Sequence, residues 1–172
     1  MNINSVTTAP KTSVYANKAP AGEAGFADKV KAAAGQIENA KTDGMLYSGG
    51  NAMGLSYSIR YAEGSTEEDP TVIAKGVDES GKAFEQTIHI KDIDPRNATI
   101  IEMHALEEYT GAEKRYGFTT LPLSAGNMYF NERRNFINMF EDSINDLTLM
   151  KAKKAAAYYK QSVQVYMDFA KK

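Results

Sequence analysis

The chain has 172 residues, 42% of them hydrophobic and 24% charged, with a formal net charge of -2. That is enough for one globular domain with a real core, and it lacks the basic excess of a nucleic-acid binder. Cysteine is absent, which excludes disulfides, thiolate catalysis and cysteine-rich zinc sites, and no run approaches the roughly 18 consecutive apolar residues of a membrane span.

Residues 1–25 are rich in Ser, Thr, Asn, Ala and Pro, with no acid before Glu23. So little apolar content cannot offset the entropy of ordering, and the expectation is a disordered arm before a single domain over residues 26–172. The arm has no apolar run of the kind a cleaved secretory signal needs. A cytoplasmic protein is therefore expected. The alternative is export without a cleaved signal, since acid-poor Ser/Thr/Asn-rich starts resemble those of proteins exported by flagellar-type secretion. Phe26, Val30, Ala33 and Ile37 then recur at helical spacing, marking a short amphipathic element over residues 26–40.

Residues 41–54 carry Thr42-Asp43-Gly44 and Ser48-Gly49-Gly50-Asn51, which are turn and loop signals, and the stretch reads as a linker. It is not a phosphate cradle: its glycines lead to Leu55 rather than to Gly-Lys-Ser/Thr at a helix start. Leu55, Tyr57, Ile59 and Tyr61 alternate with polar residues, the two-residue period of a half-buried strand. An acidic loop over residues 63–70 follows, without the alternating ligand spacing of a calcium loop. Residues 71–77 and 82–90 are two further strands joined by Asp78-Glu79-Ser80-Gly81, so a three-stranded antiparallel meander is expected.

Asp94 and Pro95 suit a helix start, and the spacing predicts a helix over residues 95–109 that ends before Gly111. Ala98, Ile101, Ala105 and Tyr109 form one stripe, with Ile100, Met103 and Leu106 off it. A helix apolar over most of its circumference is packed on more than one side. Residues 76–103, GVDESGKAFEQTIHIKDIDPRNATIIEM, resemble a segment that recurs in small uncharacterised bacterial proteins forming a family of unknown function. The resemblance implies a bacterial context and assigns no activity or site.

Tyr116, Phe118, Leu121 and Leu123 suggest that the connection over residues 111–126 packs. Residues 127–172 contain no Gly and no Pro, the strongest helical signal in the chain. Phe130, Arg133, Ile137, Phe140, Ile144 and Leu147 step by three and four. Leu149, Ala152, Ala156, Tyr159, Val163, Tyr166 and Ala170 do so in another phase. The shift at residues 145–148 predicts a helical hairpin, with a single long helix as the alternative and residues 146–172 as a C-terminal amphipathic helix. The fold class is therefore α+β.

His89 and His104 are the two histidines, and no His-Glu-x-x-His or Gly-x-Ser-x-Gly pattern accompanies them. Neither a cofactor nor a metal is implied. The favoured reading is a non-catalytic interaction or assembly module. Its partner protein, or a second copy, would meet Leu149, Ala152, Ala156, Tyr159, Val163 and Tyr166 of the last helix, whose heptad spacing is that of a packing seam. The alternative is a small hydrolase or metal-dependent enzyme centred on Glu102, His104 and Glu108, with His104 pairing Glu108 one turn away or activating Ser124. A third reading is a peripheral membrane binder through the basic patch Lys151, Lys153 and Lys154, the lesser expectation, since basic amphipathic helices can lie on anionic bilayers. Nucleic acid and small-molecule ligands have no signal.

Overall fold

The computed structural model describes residues 44–114 and 119–171, all within one compact unit. The expected arm over residues 1–25 and the amphipathic element over residues 26–40 lie outside the described residues. The fold is α+β. A four-stranded antiparallel sheet is built of β1 (Met45–Gly50), β2 (Ser56–Tyr61), β3 (Thr71–Val77) and β4 (Ala83–His89) in sequence order. Three helices follow: α1 (Ile100–Thr110), α2 (Phe136–Leu149) and α3 (Lys153–Phe169).

The sheet has one strand more than the sequence announces. β1 lies where a linker is expected, because Ser48, Gly49 and Gly50 have low strand propensity of their own. Pairing with β2 overrides that: Tyr47 faces Ile59 and Gly49 faces Tyr57. Asn51 closes the hairpin, its backbone amide donating to the Leu55 carbonyl (2.9 Å) and its Oδ1 accepting from the Met53 amide (3.0 Å). The glycines also serve the packing. Gly49, Tyr57 and Gly76 form one cross-strand row, so neither residue paired with Tyr57 carries a side chain, and on the Gly49 side the Tyr47 ring fills the space, 5.4 Å from the Tyr57 ring. A Cβ at Gly76 would lie 2.7 Å from Tyr57 Cα, and one at Gly49 would lie 2.9 Å from Tyr47 Cζ.

The other strands follow their alternation. Tyr57, Ile59, Val72, Ala74 and Ile88 are buried on one face, while Arg60, Lys75, Glu85 and His89 are exposed. β4 does not run straight into the helix. Ile90–Asp92 is a single 3-10 turn, and the Asp94 carboxylate accepts from the Arg96 amide (2.9 Å), closing a local turn instead of capping a helix. Helix α1 starts five residues after Pro95 because a stronger start signal lies there. Thr99 Oγ1 accepts from the Glu102 amide (3.2 Å), and the Glu102 carboxylate accepts from the Thr99 amide (2.8 Å). This is the reciprocal Thr-x-x-Glu capping box. Gly111, with φ of 64°, ends the helix as expected.

Helix α1 is the most buried helix among the described residues. Ile100, Ile101, Met103, Ala105 and Leu106 are all buried, covering most of its circumference, and it contacts both β1 and α3. Each of the four larger side chains, Ile100, Ile101, Met103 and Leu106, contributes about 1.5–3 kcal/mol relative to exposure, so this helix alone anchors a large share of the core.

The C-terminal stretch is a hairpin. Its first helix begins later than the spacing suggests, at Phe136, with the Asn135 side chain accepting from the Asn138 amide (3.1 Å). Before it, the chain makes a turn closed by the Glu132 amide donating to the Tyr129 carbonyl (3.1 Å) and is tied to the loop that leads into α1 through paired backbone hydrogen bonds between Ala98 and Arg134 (3.0 and 3.1 Å). Phe130 packs on Phe84 of the sheet, with ring centroids 4.2 Å apart. The break between α2 and α3 falls at residues 150–152, later than the expected 145–148, and is made by Lys151 with φ of 60°. Asp146 stays inside α2, its carbonyl accepting from the Met150 amide. The α3 stripe closes on α2 of the same chain: Phe140 meets Tyr159 and Tyr166 with centroids 5.8 and 5.7 Å apart. Among the described residues, no helix is long and apolar enough to cross a membrane.

Candidate functional site

The six residues expected to form an interaction seam separate into two groups. Ala156, Val163 and Tyr166 are buried in the chain's own core, and Ala152 and Tyr159 are half-buried. Leu149 is exposed at the hairpin tip. Most of that stripe is therefore occupied within the chain. Lys151, Lys153 and Lys154 are exposed around the same tip.

The three residues of the expected catalytic cluster do not converge. Glu102 holds the start of α1 and pairs with Arg133 (2.5 Å). Glu108 pairs with Lys114, not with His104. Ser124 lines a different cleft from His104, together with Arg134, Asp142 and Asp146. His89 is exposed, 3.2 Å from Asp69. Among the described residues, no group of three or more His, Cys, Asp or Glu is arranged to hold a metal ion.

His104 itself does occupy a constructed setting. It sits on the buried side of α1, 5% exposed, facing β1 and β2. Tyr57 Oη lies 2.5 Å from His104 Nδ1, and the Tyr47 ring stacks on the imidazole with centroids 4.2 Å apart and planes 22° apart. Tyr47 can lie there because Gly49, on the same strand face, leaves its phenol room. Burial depresses the His104 pKa to about 3, with the Lys114 charge adding to the effect. The same burial pushes both phenols above their ordinary range, Tyr57 far above it. All three groups are therefore neutral near pH 7. A base titrating near 3 is poorly matched to proton abstraction at neutral pH, but a neutral imidazole remains a good hydrogen-bonding and stacking surface.

One turn on, Glu107 is wholly buried. The Thr119 hydroxyl donates to both its carboxylate oxygens (3.0 Å each), the Thr120 amide donates to Oε1, and Lys114 Nζ lies 4.0 Å from Oε2. Desolvation raises its pKa, and these donors only partly offset that. Thr120 Oγ1 is in turn 2.5 Å from the Tyr166 hydroxyl of α3. The acid thus fastens the 119–121 segment to α1, and the threonine fastens it to α3. Sequence reading passes over Glu107 because it weighs the neighbouring Glu102 and Glu108 instead. Helix α1 carries three carboxylates, Glu102, Glu107 and Glu108, and no local pattern marks which of them is buried.

Fastening that segment creates a cleft of about 410 Å³. Tyr47, Gly50 and Asn51 form one wall, Ile100 and His104 of α1 the floor, and Thr119, Leu121, Pro122, Leu123, Ala125, Gly126 and Asn127 the other side. Leu121 is buried as expected of a packed connection, whereas Leu123 is 91% exposed at the rim. Among the described residues, no charged side chain lines the cleft. Its polar groups are a phenol, an imidazole, a hydroxyl and carboxamides, and the Asn51 carboxamide is held by donating to the Met128 carbonyl (2.7 Å). Comparison of the chain with protein-family models, with curated proteins and with solved structures finds no match.

Proposed function

We propose that the chain is a non-catalytic binding module whose recognition site is the cleft over His104, and that its ligand is an uncharged, planar small molecule. One observation carries this reading: a cleft of about 410 Å³, floored by Ile100 and His104, combines apolar walls with polar groups that, among the described residues, are all uncharged. Ligand sites characteristically pair a mostly apolar lining with a few placed hydrogen-bonding groups. The absence of charge in the lining favours a neutral ligand, because an ion would lose hydration without a counter-charge. The stacked Tyr47 and His104 rings favour a flat one. The depressed basicity of His104 and the dispersal of Glu102, Glu108 and Ser124 weigh against the hydrolase reading.

The test is a titration with phenol, indole and benzamide, followed by amide chemical shifts on the full chain. The expected result is saturable shifts at Tyr47, Asn51, Ile100, His104 and Leu121. Gly49→Ala is the companion variant, since its methyl would sit 2.5 Å from the Tyr47 hydroxyl and displace that ring. The clash is with the free end of a side chain, so stability should change by less than about 1 kcal/mol, while affinity falls by about fivefold or more, a loss of about 1 kcal/mol. Shifts scattered over the surface, or equal binding by Gly49→Ala, would refute the reading.

A further inference from the structure

The turn joining α2 to α3 departs from ordinary helix-hairpin chemistry in three ways at one spot. Leu149 and Met150 stand 81% and 73% exposed at its apex. Lys151 adopts a left-handed φ of 60° without being glycine, a conformation uncommon for other residues. Lys153 and Lys154 open α3, whose first turn has no acid and no side-chain cap, so their charges meet the positive end of the helix dipole.

The apex is not frayed. The Met150 amide donates to the Asp146 carbonyl (2.9 Å), Lys151 to Thr148 (3.0 Å), Ala152 to Leu147 (2.8 Å) and Lys153 to Lys151 (3.0 Å). A hydrogen-bonded turn therefore holds two exposed apolar side chains next in the chain to three exposed lysines. Among the described residues, none of Lys151, Lys153 and Lys154 is in an ion pair. Asp146, one turn back, leaves the tip a net cation. Local rules broken together without a local gain are what a functional surface produces.

We propose that this tip docks the protein on a bilayer surface rich in anionic phospholipid, with Leu149 and Met150 entering the acyl boundary and the three lysines meeting the phosphates. Charge complementarity selects this occupant. Exposed apolar side chains beside a run of exposed lysines match the layering of an anionic bilayer, where headgroup charge lies above the acyl boundary. The uncapped amides at the start of α3 add to the attraction for phosphate. The α3 seam contributes nothing, since it is buried against α2.

The experiment is flotation of the full-length chain with vesicles of phosphatidylcholine alone and of an equal mixture of phosphatidylcholine and phosphatidylglycerol. The wild-type chain should float with the mixed vesicles and remain behind with the neutral ones. Lys153→Gln combined with Lys154→Gln should weaken binding by about 25-fold, on the order of fivefold per lysine. Leu149→Ser combined with Met150→Ser should abolish flotation in high salt and leave a residual salt-sensitive fraction. All four positions are exposed, and unchanged thermal unfolding of each variant serves as the control on folding. Failure of the wild-type chain to float with the mixed vesicles overturns the proposal. So does lysine-dependent binding that ignores the Leu149 and Met150 changes, which would indicate a merely acidic partner.

Discussion

Placing an imidazole beside two phenols in a water-poor pocket fixes how His104 responds to acid. Its folded pKa lies near 3, against 6.5 for the free side chain. The unfolded chain therefore takes up a proton below pH 6.5 that the folded chain refuses. The His104 contribution to stability is fully present above pH 6.5 and is lost as pH falls toward 3, by about 1.4 kcal/mol per pH unit while one proton separates the states. Glu107 acts with the opposite sign. Its folded pKa is raised, so the folded chain takes up a proton before the unfolded one, and acidification through that value toward the ordinary 4.5 relieves the cost of a buried carboxylate. Urea unfolding against pH separates the two. His104→Gln should abolish the loss that begins at pH 6.5, and Glu107→Gln should keep that loss and steepen it at lower pH. A wild-type profile that stays flat from pH 6.5 down, with Glu107→Gln equally flat, would contradict the neutral buried imidazole.

At the scale of elements, local signals were reliable where one local pattern decided the outcome. The alternation of Tyr57 and Ile59, and of Phe84 and Ile88, yields β2 and β4 because one face is buried. The loss of phase in the C-terminal stretch yields a hairpin because two stripes cannot share one straight seam. β1 was not legible, since Ser48, Gly49 and Gly50 form a strand only once β2 supplies the hydrogen bonds. The start of α1 was legible but outweighed: Asp94-Pro95 is a good helix opening, yet Thr99 and Glu102 satisfy two amides reciprocally. Thr99→Ala should therefore cost about 1 kcal/mol, lowering the urea midpoint without changing its slope, since the buried surface is the same. Gln keeps an acceptor for the Thr99 amide, so Glu102→Gln should cost less than Thr99→Ala even though it weakens the pair with Arg133. A Thr99→Ala variant as stable as wild type would mean that α1 is held by burial alone.

For the molecule as a whole, the candidate site depends on contacts that no local pattern encodes. His104 was visible as a histidine on a heavily packed helix, but its partners Tyr47 and Tyr57 come from strands 57 and 47 residues away, and the far wall of the cleft is a later segment that Glu107 helps to tie to α1. That segment is the joint between α1 and α3, through Glu107 on one side and the Thr120–Tyr166 hydroxyl pair on the other. Both hydroxyls are buried, so removing one leaves the other without its partner, at about 1–3 kcal/mol each. Thr120→Val and Tyr166→Phe should cost alike, because each leaves one buried hydroxyl without its partner. The double variant should cost less than the two losses added, with a coupling of about 0.5–3 kcal/mol. A double-mutant cycle by urea unfolding measures it. The same Thr120→Val change should broaden the amide signals of Leu121 and Asn127 at the cleft while leaving those of β3 sharp, because the joint loosens one wall and not the sheet. Strict additivity in the cycle, with the cleft signals unaltered, would mean that the segment is held by Leu121 burial and that the polar joint is incidental to the site.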